Sequence, residues 1–303
     1  MKLLSFTVGS RESYGIALED GILDLGLRLG PDRATLRDLL AAGALAEARD
    51  LMESCTPDLT YGQITYRPPV PAPEKIFCIG VNYPERHEEY GDASERPLYP
   101  SVFMRTPGSL VGHRQPLVRP PESDAFDYEG ELAVIIGRSG RRIPEGLADT
   151  FIAGVTCANE GTIRDWLRHG KFNVTPGKNF DRSGAIGPWM VTLDEVGPLD
   201  RLELTTAVNG ELRQRDSTGR LLFPVAWLVA YISTFSRLVP GDIIVTGTPP
   251  GAGARLTPPR FLVPGDRVDV TIARVGTLTN TVADESRRPR KSGSGPTPTP
   301  SGG

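Results

Sequence analysis

A mainly β protein with a few helices, in the α+β class, is the fold the sequence predicts, and three observations predict it. Its β-branched and apolar runs are short. Its 34 glycines and 28 prolines punctuate those runs up to about residue 284. Few of the runs are separated by a stretch of helical periodicity long enough to serve as a crossover, so the strands should pair as antiparallel or mixed sheets.

Taken in order, "LLSFTVG", "YGIALED" and "GILDLG" alternate as strands near the N-terminus, and "ATLRDLLAAGALAEARDLMESC" has the apolar spacing of a helix. These elements make a small N-terminal α+β domain over residues 1–70. The proline-rich "YRPPVPAPEK" is an extended connection, and it leads into a buried strand, "IFCIGV". From residue 71 to 284 strands dominate: "ELAVIIG", "PWMVTLDEV", "LELTTAVNG", "DIIVTGT" and "RVDVTIARV". The helix candidates there are "EGTIRDWLRHG" and "LFPVAWLVAYISTFSRLV". Residues 285–303, basic and then built from Ser, Gly, Pro and Thr, have nothing to bury and read as a disordered tail.

Composition narrows the function classes. A net charge of −3 and a pI near 5.8 provide no electrostatic footprint for nucleic acid or an anionic membrane. No apolar run approaches a membrane span, and "MKLLSFTVGSRESYG" turns polar too early for a signal peptide. Three widely spaced cysteines, Cys55, Cys78 and Cys157, read as reduced thiols of a cytoplasmic protein rather than a disulfide or zinc framework.

Two stretches carry candidate chemistry. In "FDYEGELAVIIG" a strand would project Glu129 and Glu131 from one face, two positions apart. Crowded carboxylates repel unless a proton or cation intervenes, and a hard divalent cation takes oxygen ligands. The alternative is an exposed edge strand with two solvated glutamates. In "CANEGTIRDWLRHGKF", Glu160 could add a third carboxylate and Arg164, four positions on, could share its helical face. The alternative there is a helix capped by Asn159 with its charges on the surface. A third stretch, "GVNYPERHEEYG", sets His87 among charged neighbours, either as a catalytic base or as part of a solvated loop. His113 and His169 are the other possible proton carriers.

Taken together, "IFCIGVNY", "FMRTPGSLVG", "DYEGELAVIIG", "GKNFDRSGAIGPWMVT", "VNGELRQ", "PGDIIVTGTPPGAG" and "PGDRVDVTI" resemble the fumarylacetoacetate hydrolase family over roughly residues 70 to 284. The family includes bacterial isomerases, acylpyruvate hydrolases and oxaloacetate decarboxylases. The resemblance implies a mixed β-roll around the active site, a homodimer, and a magnesium or manganese ion held by Glu129, Glu131 and Glu160. At the third position the family carries Asp, one methylene shorter. It also implies cations for a substrate's carboxylate and oxo oxygens, Lys178, Arg105 and Arg164, with Thr248 on a glycine-rich turn as a further contact.

The chemistry so implied acts on a small anionic 2-oxo acid or 1,3-dicarbonyl through a metal-stabilised enolate. Hydrolysis of an acylpyruvate-type C–C bond or isomerisation of a hydroxymuconate-like dienoate leads. Decarboxylation or tautomerisation of an oxaloacetate-like acid is the alternative, as is a non-hydrolytic biosynthetic role. The hydrolases carry N-Y-x-x-H-x-x-E, in which a His–Glu pair activates water. In that register Arg86 takes the histidine position, Glu89 takes the glutamate position, and His87 falls one residue late. Arginine is no base at neutral pH, which leaves Glu89 as the base ahead of His87.

Overall fold

The computed structural model describes residues 1–84, 97–170 and 173–286. Arg86, His87 and Glu89 lie outside the described residues, as does the tail from 287 onward. Glu285, expected to open that tail, still donates its amide to Arg119 O (3.0 Å).

Among the described residues the chain is mainly β, with few helices, as its short punctuated runs predict. Across the largest sheet the strands run Gly21–Asp24, Arg11–Leu18, Lys2–Val8, Gly184–Thr192, Ile152–Asn159, Gly130–Ile136, Ile243–Val245, Ile76–Gly80 and Ser101–Met104. Neighbours on this path are antiparallel except Ile243–Val245 and Ile76–Gly80, which pair in parallel. The N-terminal strands join this sheet directly, through Lys2↔Val191 and Leu3↔Met190. A second sheet orders Glu211–Ser217, Glu203–Val208, Arg267–Ile272, Gly276–Asp284 and Leu117–Arg119.

Burial on both faces explains the unbroken apolar run of the Gly130–Ile136 strand. Leu132, Val134 and Ile136 pack with Leu204, Val270 and Ile272 of the second sheet. Ala133 and Ile135, of opposite parity, pack with Leu36, Leu39 and Leu40 from the N-terminal helix. All seven residues of the strand are buried, so it is a central strand and not the exposed edge that its two glutamates also allowed.

Two helix expectations change. The stretch 34–55 forms two helices, Leu36–Ala41 and Leu45–Ser54, broken where Gly43 takes φ 65°. The stretch 160–170 is not an α-helix. Thr162–Ile163 bridges to Phe126–Asp127, and a 3-10 turn, Arg164–Arg168, follows. β-Branched Thr162 and Ile163 suit the bridge, and Gly161 packs so tightly that a Cβ would sit 1.8 Å from Ser183 O. The other candidate forms a helix at Val225–Phe235, starting directly after Pro224.

Candidate active site and metal centre

The ladder between Gly130–Ile136 and Ile152–Asn159 assembles the acidic group. Its register pairs Gly130 with Asn159 and Glu131 with Ala158. Past the end of the ladder Glu160 N still donates to Glu129 O (2.7 Å), so Glu160 is brought opposite Glu129. Strand parity adds Glu131 on the same side. One carboxylate oxygen from each of Glu129, Glu131 and Glu160 lies within 4.8 Å of the others, and all three residues are buried.

Cations and donors tie this group down. Lys178, at the end of the short Thr175–Lys178 helix, bonds Glu129 Oε2 and donates to Glu160 Oε2 at 2.7 Å. Arg164 donates from Nη2 to Glu129 Oε1 (2.9 Å) and from Nε to Asp127 Oδ2 (2.8 Å). The Thr162 hydroxyl is shared between Glu129 Oε2 (3.1 Å) and Glu160 O (2.8 Å). Gly247 N donates to Glu131 Oε2 at 2.5 Å. Among the described residues four carboxylates thus gather around two cations, which bond Asp127, Glu129 and Glu160 but not Glu131.

That imbalance shifts the ionisations. Burial, then the charges of Glu160 and Glu129, hold the Glu131 carboxyl well above the ordinary value for a glutamate. Burial works against a charged Lys178, but Glu129 and Glu160 outweigh it and the ammonium is held above its usual range. Glu160 Oε1 is buried with no hydrogen-bond partner, an arrangement that is costly unless another ligand completes it. An all-oxygen donor set with one oxygen unmatched fits a hard divalent cation such as magnesium or manganese.

Ser101, Phe103, Leu167, Val174 and Thr248 line a cavity of ≈ 220 Å³ together with the three glutamates, Arg164 and Lys178. Phe103 sits 5.3 Å from Lys178 Nζ at its ring centroid. Thr248 belongs to that lining. Its hydroxyl donates to Gly130 O (2.9 Å) and accepts from Gln214 Nε2 (2.8 Å).

Arg105 does not line this cavity. Its buried guanidinium donates to Ser109 Oγ (3.1 Å), Ser109 O (3.3 Å), Gly161 O (2.9 Å) and Ser183 Oγ (3.1 Å). These bonds tie the guanidinium, expected to meet substrate, to neutral acceptors. Arg164 shares no helical face with Glu160; it reaches back to the residues before the Gly130–Ile136 strand. Asn159 caps no helix, and its side chain accepts from Glu129 N (3.0 Å).

Neither remaining histidine joins the group. His113 Nδ1 accepts from Thr279 N (3.1 Å), and burial, then Arg114, push the imidazole down to about 4. His169 is exposed and lies tilted against Trp166, with ring centroids 4.0 Å apart and planes at 41°. Cys78 and Cys157 are buried free thiols, as their apolar runs suggested.

Two buried residues escaped the sequence reading. Asp127 is fully buried and takes four donors, and Gln214 bonds Gly130 N, Thr248 Oγ1 and Pro249 O. Both lie within quoted motifs, "DYEGELAVIIG" and "VNGELRQ". The signal for Gln214 was a neutral polar residue in a strand with charged neighbours.

A mixed β fold carrying a buried carboxylate triad, with Lys178 bonded to two of its members and Arg164 to one, beside a small cavity, is the architecture of an enzyme site that could hold a metal ion. Residues 75–283 match the family model "Fumarylacetoacetate (FAA) hydrolase C-terminal", and the chain belongs to that family and is an enzyme of it. The oxaloacetate tautomerase YisK of Bacillus subtilis is 39% identical over 303 residues, which span 93% of this chain and 100% of that protein. The mitochondrial oxaloacetate tautomerase Fahd2a of Rattus norvegicus is 35% identical, over 93% of this chain and 91% of its own. Among solved structures, maleylpyruvate hydrolase from Sphingobium sp. SYK-6, in complex with manganese(II) and pyruvate, superposes with a TM-score of 0.77. It is 27% identical and covers 94% of this chain and all of its own.

Proposed function

We propose that the chain is a divalent-metal-dependent tautomerase of small 2-oxo dicarboxylic acids, interconverting the enol and keto forms of an oxaloacetate-like substrate. The observation that carries the reading is the buried triad with an unpartnered Glu160 oxygen beside a charged Lys178. The names of the two tautomerase relatives support the choice of reaction.

Glu129, Glu131 and Glu160 would hold the cation, which when bound supplies Lewis-acid polarisation of the 2-oxo group. Lys178 keeps a proton and a positive charge at Nζ, where an enolate oxygen would gain from both. Ile79, Val81, Phe103, Leu167 and Val174 form the apolar part of the wall and would limit water around the reacting atoms. Tautomerisation moves one proton between carbon and oxygen of the substrate. It consumes no water and breaks no carbon–carbon bond. Hydrolysis needs a base to activate water, and the sequence register sets Arg86 where the hydrolases carry histidine. Association as a homodimer belongs to the same reading, and light scattering in solution tests it.

The direct assay adds enol oxaloacetate with magnesium or manganese and follows loss of enol absorbance, with pyruvate and CO2 recorded in parallel. Faster enol loss that disappears on chelation, with neither product released, is the expected result. Pyruvate released from an acylpyruvate at a higher kcat/KM would replace this reading with C–C hydrolysis. Release of CO2 from oxaloacetate would replace it with decarboxylation.

A further inference from the structure

Asp127 joins three segments around the site without lining the cavity. Its Oδ1 accepts from Tyr128 N (2.9 Å) and Gly253 N (2.8 Å), and its Oδ2 accepts from Arg164 Nε (2.8 Å) and Ala254 N (2.9 Å). Those donors use the capacity of a carboxylate, so Asp127 is not itself available to a metal or substrate. The segments it joins are the strand end before Glu129, the turn starting at Arg164, and the loop that follows Thr248. Gly253 allows the approach, since a Cβ there would lie 2.8 Å from Asp127 Oδ1 and 2.0 Å from Arg260 O. Nη2 of the same Arg164 guanidinium donates to Glu129 Oε1 (2.9 Å).

We propose that Asp127 is a positioning residue for the metal site, acting through Arg164 to orient Glu129 and to draw part of the guanidinium charge away from it. This rests on the reading of Glu129, Glu131 and Glu160 as metal ligands. Two effects of the clamp have the same sign. A guanidinium shared by two carboxylates neutralises each only in part; released from Asp127, it would bear more strongly on Glu129 and compete with the cation. A ligand carboxylate without a fixed outer partner also loses orientation, and such partners are worth roughly ten- to a hundredfold in metal affinity.

The test titrates manganese(II) alone into the wild type, Asp127→Asn, Arg164→Gln, the double variant and Glu131→Gln, with thermal unfolding of each metal-free protein alongside. Asp127→Asn should weaken binding about ten- to a hundredfold. The double variant should bind no worse than the weaker single variant, because both break one linkage. Asp127→Asn affinity within about twofold of wild type overturns the proposal, even if its unfolding temperature falls, since that is a structural role only. Losses that multiply in the double variant also overturn it, because they report a through-space charge effect.

If Asp127→Asn fails to fold, Arg164→Lys decides. It keeps the charge and the three main-chain bonds to Asp127, but an ammonium is no planar fork to bridge two carboxylates. A loss of about tenfold or more supports the clamp, and wild-type affinity overturns it. The two readings fail separately. Glu131→Gln that binds manganese like wild type removes the triad, whereas loss in Glu131→Gln with none in Asp127→Asn removes the positioning role alone.

Discussion

Replacing Glu131 with glutamine should move metal affinity and metal-free stability in opposite directions. The three carboxylates offer oxygens within 4.8 Å of one another. At an effective dielectric of about 20, two unit charges at that separation repel by about 3.5 kcal/mol. Glu131 faces two such neighbours, only partly offset by Lys178. Its carboxyl is therefore held above the ordinary range for a glutamate, and protonation relieves the repulsion.

The sign follows from linkage. A carboxyl raised in the folded state contributes stability that is complete below its unfolded pKa and is lost as pH rises toward its folded pKa. Glutamine has the shape of the protonated form and can still accept from Gly247 N. Metal-free Glu131→Gln should thus unfold a few degrees higher than wild type at pH 7 (roughly 2–4 °C per kcal/mol), with the gap closing below about pH 4.5. Its affinity for magnesium or manganese should fall at least about a hundredfold, or about 2.7 kcal/mol, because a neutral oxygen replaces an anionic ligand. Differential scanning fluorimetry across pH and calorimetric titration measure the two halves. Unchanged metal affinity, or a metal-free variant less stable than wild type at pH 7, would refute the reasoning.

Three further outcomes follow from the same geometry. Lys178→Gln removes an ammonium that bonds Glu129 and Glu160, so manganese should bind more tightly while kcat falls about a hundredfold; weaker binding would mean that the lysine supports the ligands rather than competes for them. Because the Glu131 carboxyl is held above its ordinary range, metal uptake should displace protons from it, so the apparent binding enthalpy should change with the ionisation enthalpy of the buffer. One enthalpy in all buffers would contradict that. Arg105→Leu removes a buried guanidinium with four hydrogen bonds to neutral groups and should destabilise by about 3 kcal/mol or more. KM of the folded fraction should stay close to wild type, and a tenfold rise in KM at unchanged stability would return Arg105 to the substrate.

Much of this protein is determined by its sequence alone, wherever the physical rule is local. Alternation with period two puts Glu129 and Glu131 on one side of their strand, and short runs between glycines and prolines make the chain mainly β. The order of separated motifs identifies the family, because each motif is tied to its own turn or strand. What only tertiary structure decides is which distant groups meet. Glu160 reaches the triad through the register of an antiparallel ladder, not through a helix face, and Thr162 and Ile163 leave the helical pattern because a partner strand is there to pair them. Charge type did not reveal burial: Arg105 and Lys178 are both buried cations, but one meets neutral acceptors and the other meets carboxylates. Asp127, two positions before the E-x-E pair, takes its donors from residues 37 and 126–127 positions away as well as from its neighbour. Those contacts follow from how sheets and loops close over one another, since hydrogen bonds between distant segments depend on packing that no local pattern encodes.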